Sequence, residues 1–91
     1  MNIEPLEALA AVYAHMGVIF NRSKRFSHAE KTLQKAIALN AKPLGPHFAL
    51  AEACEGLNQF QKAEKEYRLI LALAPQHSEA LTRIRRLTKA K

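Results

Sequence analysis

Residues 60–75 read FQKAEKEYRLILALAP, and residues 26–41 read FSHAEKTLQKAIALNA. The second stretch overlays the first after a shift of 34 positions: Phe26 on Phe60, Ala29 on Ala63, Glu30 on Glu64, Lys31 on Lys65, Ala38 on Ala72 and Leu39 on Leu73. A period in the thirties marks a stack of helical units, none of which buries its apolar face alone. Such a stack needs a first helix ahead of each copy and a lid at its ends.

Working outward, the spacing predicts an all-α chain of five helices. From Pro5, suited to a first helical turn, Leu6, Leu9, Tyr13, Met16 and Phe20 recur at steps of three and four. That is one apolar stripe on a helix over 5–22. Gly17 lies inside it at a cost of ~1 kcal/mol relative to Ala, which implies a neighbour too close for a side chain. Residues 1–4 are expected to fray. A second helix over 27–40 turns Ala29, Leu33, Ala36 and Ile37 inward, with Ser27 and Glu30 spaced as a capping box. Pro43-Leu44-Gly45-Pro46 stops it and starts a third helix over 46–57, with His47, Leu50, Ala51 and Cys54 on one face. Asn58 fits the left-handed turn that follows. A fourth helix over 60–74 buries Phe60, Ala63, Tyr67, Ile70 and Leu71, with Lys62–Glu66 and Glu64–Arg68 spaced as ion pairs on its wet side. Ser78 is placed to cap a fifth helix over 78–89, whose apolar positions are only Leu81, Ile84 and Leu87.

Composition narrows the class. The chain has 91 residues, one small domain at most. Apolar residues at 48% suffice for a core, and three glycines with no β-branched runs favour helix. No apolar run approaches the roughly 20 residues of a membrane span. The opening MNIEP has no basic lead and apolar block, which predicts no secretory signal and a cytoplasmic location.

Catalytic signals are absent from the reading. Cys54, the single cysteine, cannot form an internal disulfide, and between Ala53 and Glu55 it reads as a small packing residue. His15, His28, His47 and His77 show no metal-ligand spacing. There is no Gly-rich phosphate loop and no nucleophile–base arrangement. A protein that is not an enzyme, and that holds no metal or cofactor, is expected.

The pattern resembles the tetratricopeptide repeat. Two units fit end to end, Ala10–Pro43 and Leu44–His77. The family's large early residue corresponds to Tyr13 and His47, the Leu-like one to Met16 and Leu50, and the small one to Gly17 and Ala51. The aromatic that opens the second helix is Phe26 and Phe60, and the close-contact Ala is Ala29 and Ala63. The next large residue is Leu33 in one unit and Tyr67 in the other. Pro75 closes the second unit; the first has Ala41 there and Pro43 two places on. Lys24 occupies a turn site that favours Gly. Arg85 falls where a third unit would need its small residue, so 78–89 reads as the solvating cap helix that ends the array.

The resemblance implies a right-handed superhelix of antiparallel hairpins in a single domain over 1–91. It implies a non-catalytic protein–protein interaction module with a concave groove. The groove maps to Ala11, Ala14, Val18, Asn21, Arg22, Phe48, Glu52 and Glu55, with Thr82, Arg86 and Lys89 from the cap helix. A helix or extended peptide of a partner protein is the expected ligand. Some members of the family clamp a C-terminal carboxylate of heat-shock chaperones. Here that use would fall on Ala14, Val18, Ala49, Glu79 and Arg83, of which only Arg83 suits it.

Two further readings compete. Arrays usually need about three repeats for stability, so a homo-oligomer would supply contacts that two units lack. The formal charge of +6, with Arg83, Arg85, Arg86, Lys89 and Lys91 in the tail and Arg22, Lys24 and Arg25 in a turn, suits nucleic acid or an anionic surface. Nucleic acid is the weaker reading, because no aromatics interleave with the tail.

Overall fold

The computed structural model describes residues 5–89; Met1–Glu4, expected to fray, and Ala90 and Lys91 lie outside them. Five helices follow one another: α1 (Pro5–Arg22), α2 (Phe26–Leu39), α3 (Leu44–Gly56), α4 (Phe60–Leu73) and α5 (Ser78–Lys89). No strand occurs among the described residues. α1 packs on α2 and α3 on α4 as two hairpins, α2 packs on α3 to join them, α1 also touches α3, and α5 closes the stack against α4.

The two hairpin turns are equivalent down to the backbone. Lys24 and Asn58, one period apart, both take φ 61°. Asn accepts the left-handed region readily and Lys does so at a steric cost. After each turn the helix begins at the aromatic, Phe26 or Phe60.

Helix starts or caps differ from the expectation in three places. α3 begins two residues early, at Leu44 rather than Pro46. α2 begins one residue early, with Arg25 at the N-cap and no side-chain cap. Ser27 is therefore already inside the helix, and Glu30 turns to Lys62 on α4 (3.7 Å) instead of closing a capping box. α5 does begin at Ser78, but its cap is the His77 ring: Nδ1 accepts from the Ala80 N–H at 3.1 Å. The imidazole does the work assigned to the Ser78 hydroxyl.

The core lies between the hairpins. Ala29, Leu33, Ala49, Leu50, Ala51, Ala53, Cys54, Ala63, Tyr67, Ile70, Ala80 and Leu87 form it. α3 is the central helix. It buries Pro46, His47, Ala49, Leu50, Ala51, Ala53 and Cys54 because α1, α2 and α4 surround it. A helix enclosed on three sides is apolar nearly all round. Gly17 fits the expected close approach: a β-carbon there would collide with the Leu33 side chain of α2.

α1 departs from its predicted stripe. It buries Ala10 and Gly17, while Leu6, Leu9 and Met16 stay exposed. The stripe splits because it is wider than the contact with α2. Tyr13 lies under Lys35 and Phe20 against His28, both on α2; Leu9 and Met16 stay exposed. On α4, Phe60 is likewise 47% exposed rather than buried, while Ala63, Tyr67 and Ile70 are buried as expected. Of the two expected ion pairs on α4, Glu64–Arg68 forms at 2.9 Å. Lys62 and Glu66 instead reach the neighbouring elements, Lys62 to Glu30 and Glu66 to His47 Nδ1 at 2.9 Å.

Candidate functional site

The first helices of the units, α1 and α3, are brought side by side by the hairpin stacking, and α5 follows α4 at the far end. The residues assigned to a groove fall into two clusters on this surface, plus single positions.

The first cluster is an apolar cavity of about 380 Å³ between α1, the end of α2 and the start of α3. Ala11, Ala14 and Val18 line it from α1, facing Pro43, Gly45 and Pro46. Its space comes from small residues: alanines on one wall, glycine and prolines on the other. Glu7, His15 and Asn40 are the polar groups that border it. The Pro43–Pro46 segment reads in sequence as a helix stop and restart, and its second role as a cavity wall was not read from it. The combination of ring-rigid prolines with a glycine opposite alanines was the available signal.

The second cluster is ionic and joins α3 to α5. The Arg83 guanidinium donates to Glu52 Oε2 (3.1 Å) and Glu55 Oε2 (3.0 Å), and Arg86 donates to Glu55 Oε1 (3.0 Å). Tyr67 Oη donates to Glu55 Oε2 at 2.6 Å and accepts from Arg83 at 3.2 Å. Burial alone would push the Glu55 carboxyl up, but the hydrogen bonds from Tyr67, Arg86 and Arg83 outweigh it and hold the group below its ordinary range. Burial, and then the bond to that carboxylate, push the Tyr67 phenol above its usual value. Glu52, Glu55 and Arg86 are thus tied to the cap helix. The parts played by Arg83 and Tyr67 as its centre were not legible from spacing, since they join positions 28 and 16 residues apart in the chain.

The remaining positions are single. Phe48 is half-buried, edge-to-face with Tyr67 at 5.4 Å and beside His77 at 5.7 Å, with the Arg83 guanidinium over its ring. It packs between helices instead of presenting its ring to solvent. Asn21 Nδ2 donates to the Ala49 carbonyl at 2.9 Å, tying α1 to α3, and its Oδ1 is buried with no partner among the described residues. Thr82 Oγ1 donates within its own helix to the Ser78 carbonyl. Arg22 is exposed.

The other candidate chemistry is quiet. Cys54 is buried, and burial followed by the Glu30 charge pushes its thiol up to about 11. Its Sγ lies 4.0 Å from Glu30 Oε2. His47 is held between Glu66 and the Ala41 carbonyl (3.2 Å). In the basic tail, Arg83 and Arg86 are ion-paired, Arg85 and Lys89 are exposed, and Lys91 lies outside the described residues. No helix of the described residues is long and apolar enough to cross a membrane.

Solved structures similar to this chain share its architecture. The Arabidopsis OM64 TPR domain superposes with a TM-score of 0.84 at 28% identity, covering 88% of this chain and 66% of that one. The first TPR of Spaghetti (RPAP3), bound to the HSP90 peptide SRMEEVD, gives 0.85 at 26% identity, covering 89% of this chain and 64% of that one. The first TPR domain of human RPAP3 gives 0.85 at 26%, covering 90% and 65%. The chain thus spans just under two thirds of the length of each. No curated protein sequence matches it. The tetratricopeptide repeat profile matches residues 21–87, the last two thirds of the first unit, all of the second and most of the cap helix, and the chain belongs to that family.

Proposed function

We propose that this chain is a non-catalytic protein–protein interaction module that holds a peptide or helix of a partner protein across α1 and α3. A bulky apolar side chain of the ligand seats in the cavity lined by Ala11, Ala14 and Val18. The observation that carries this reading is the cavity itself, about 380 Å³ with alanine, glycine and proline walls. Preformed apolar pockets of this size are the usual anchor points for a recognised side chain.

A similar domain binds an HSP90 peptide, but the features here favour a different ligand chemistry. Of the five positions that a carboxylate clamp would use, only Arg83 carries a cation, and it is occupied by Glu52, Glu55 and Tyr67. Freeing it would leave two partly buried carboxylates short of a partner, a loss that a ligand carboxylate must first offset. The recognised feature is therefore apolar and internal to the ligand, not its acidic end.

Display selection of peptides on the wild-type chain, against Ala11→Trp and Val18→Glu, tests this. Both residues are exposed, so neither change strikes the core. Wild type should enrich peptides with one recurrent large apolar residue, both variants should lose them, and SRMEEVD should bind none of the three. Equal enrichment on all three proteins would remove the cavity as the site.

A further inference from the structure

Leu9, Val12, Met16 and Ile19 follow one another along α1 at steps of three, four and three residues, and they are 43%, 54%, 40% and 49% exposed. Steps of this kind form the seam of a two-helix coiled contact. Glu7 and Arg22 are the charged residues of α1, one in its first turn and one in its last. The stripe between them carries no charge. A contiguous exposed face of this size, a few hundred Å² of apolar surface, marks an interaction surface.

The repeat itself shows that this face is built for helix packing. One period on, Val12, Met16 and Ile19 become Pro46, Leu50 and Ala53, all buried, while Leu9 becomes Pro43 just ahead of α3. Leu50 and Cys54 lie beside Glu30 and Gln34 of α2, the preceding hairpin. No described element takes that place beside α1.

We infer that the face binds a second copy of this chain, with the two α1 helices antiparallel across a twofold axis. The stripe is self-complementary about the level of residue 14. An antiparallel mate sets Leu9 against Ile19 and Val12 against Met16, in the a-against-d pairing such a seam requires. A twofold contact uses the same patch on both copies, and this patch matches its own reverse. Head-to-tail stacking is opposed, because the outer end of the array is α5, which exposes Arg85, Arg86 and Lys89. With a formal charge of +6 on each copy, the uncharged stripe is also where two copies meet with least repulsion. The contact is small, so the dimer is weak and forms only at high concentration. Added salt screens the repulsion and tightens it.

Sedimentation equilibrium of the full chain from micromolar to several hundred micromolar tests the seam. The average mass should rise from 10.2 kDa towards twice that, more steeply at higher salt. Val12→Glu and Met16→Glu, each at an exposed site, should keep the monomer mass throughout with unchanged helical circular dichroism. Ala11→Trp, which fills the ligand cavity, should dimerise like wild type, so the two sites succeed or fail independently. Mixed Val12→Cys and Met16→Cys chains should form a mixed disulfide faster than Ala11→Cys chains pair with one another. A monomer mass at every concentration overturns the inference. So does a dimer that survives Val12→Glu and Met16→Glu, or equal disulfide yield from the Ala11→Cys control.

Discussion

The Phe26 ring occupies the space that a β-carbon on Gly56 would need. Phe26 opens α2 in the first unit and Gly56 ends α3 in the second. The contact therefore sets how closely the hairpins stack. Gly56 has no positive φ, so its role is closeness, not backbone freedom. Ala is the better helix former by ~1 kcal/mol, yet Gly56→Ala should destabilise the fold by about 1–3 kcal/mol, because the ring or the helix must move. Gly45→Ala is the matched control: outside its chain neighbours nothing lies within 4 Å of its β-carbon, but the entropy it removes from the unfolded chain is opposed by the clash of a β-carbon with the ring of Pro46 that follows, so the change should stay within about 0.5 kcal/mol of neutral. Urea denaturation should show a lowered midpoint for Gly56→Ala and little shift for Gly45→Ala.

The Glu55 cluster gives the cap helix a pH dependence. The folded carboxyl is held below its ordinary range, so the folded state favours the ionised form. That stabilisation is complete above the unfolded value, near ~4.3, and is lost as pH falls through the lowered folded value. Glu55→Gln removes the group and should flatten the acid limb of a stability–pH profile relative to wild type. At neutral pH the same variant should be less stable by about 1–3 kcal/mol, because Arg83 loses a charged partner. Tyr67→Phe should cost less, since both arginines remain on Glu55.

Cys54 should behave as an inert thiol until the chain unfolds. Its side chain is buried and its proton is held up to about 11, so thiolate is scarce at pH 8. Reaction with a disulfide reagent at pH 8 should be slower than for a free cysteine by at least about a hundredfold. It should accelerate in urea along the same transition that circular dichroism reports.

The hairpins were legible because their signals are local. The turn sites Lys24 and Asn58 and the prolines act within a few residues of where they stand, and the 34-residue period repeats them. α1 was read less well because periodicity reports that a face is apolar, not what covers it. Leu9 and Met16 belong to the stripe as surely as Tyr13 and Phe20, yet they stay exposed while the latter pair packs on α2. The capping assignments failed for a similar reason. Ser27 has the right chemistry two residues past the N-cap, Arg25, and at α5 the His77 ring took the place that Ser78 was given. The Arg83–Glu55–Tyr67 cluster joins three helices, and no spacing rule along the chain anticipates it.

Phe48 separates folding from binding. The resemblance placed it on the ligand-facing surface, but its ring packs on Tyr67 and His77 under Arg83. Removing a packed ring costs its burial and leaves a void, so Phe48→Ala should destabilise by roughly 2–4 kcal/mol. It should also loosen Arg83, which loses the ring it stacks on. A chain of this size has limited stability to spare, so binding must be compared at a temperature where both proteins remain folded. There, a peptide anchored in the cavity of α1 should bind Phe48→Ala within about threefold of wild type, because the ring does not line that cavity. Isothermal titration beside a thermal melt reads both quantities. A variant that melts like wild type yet binds at least tenfold more weakly would instead make the Phe48 ring a direct ligand contact.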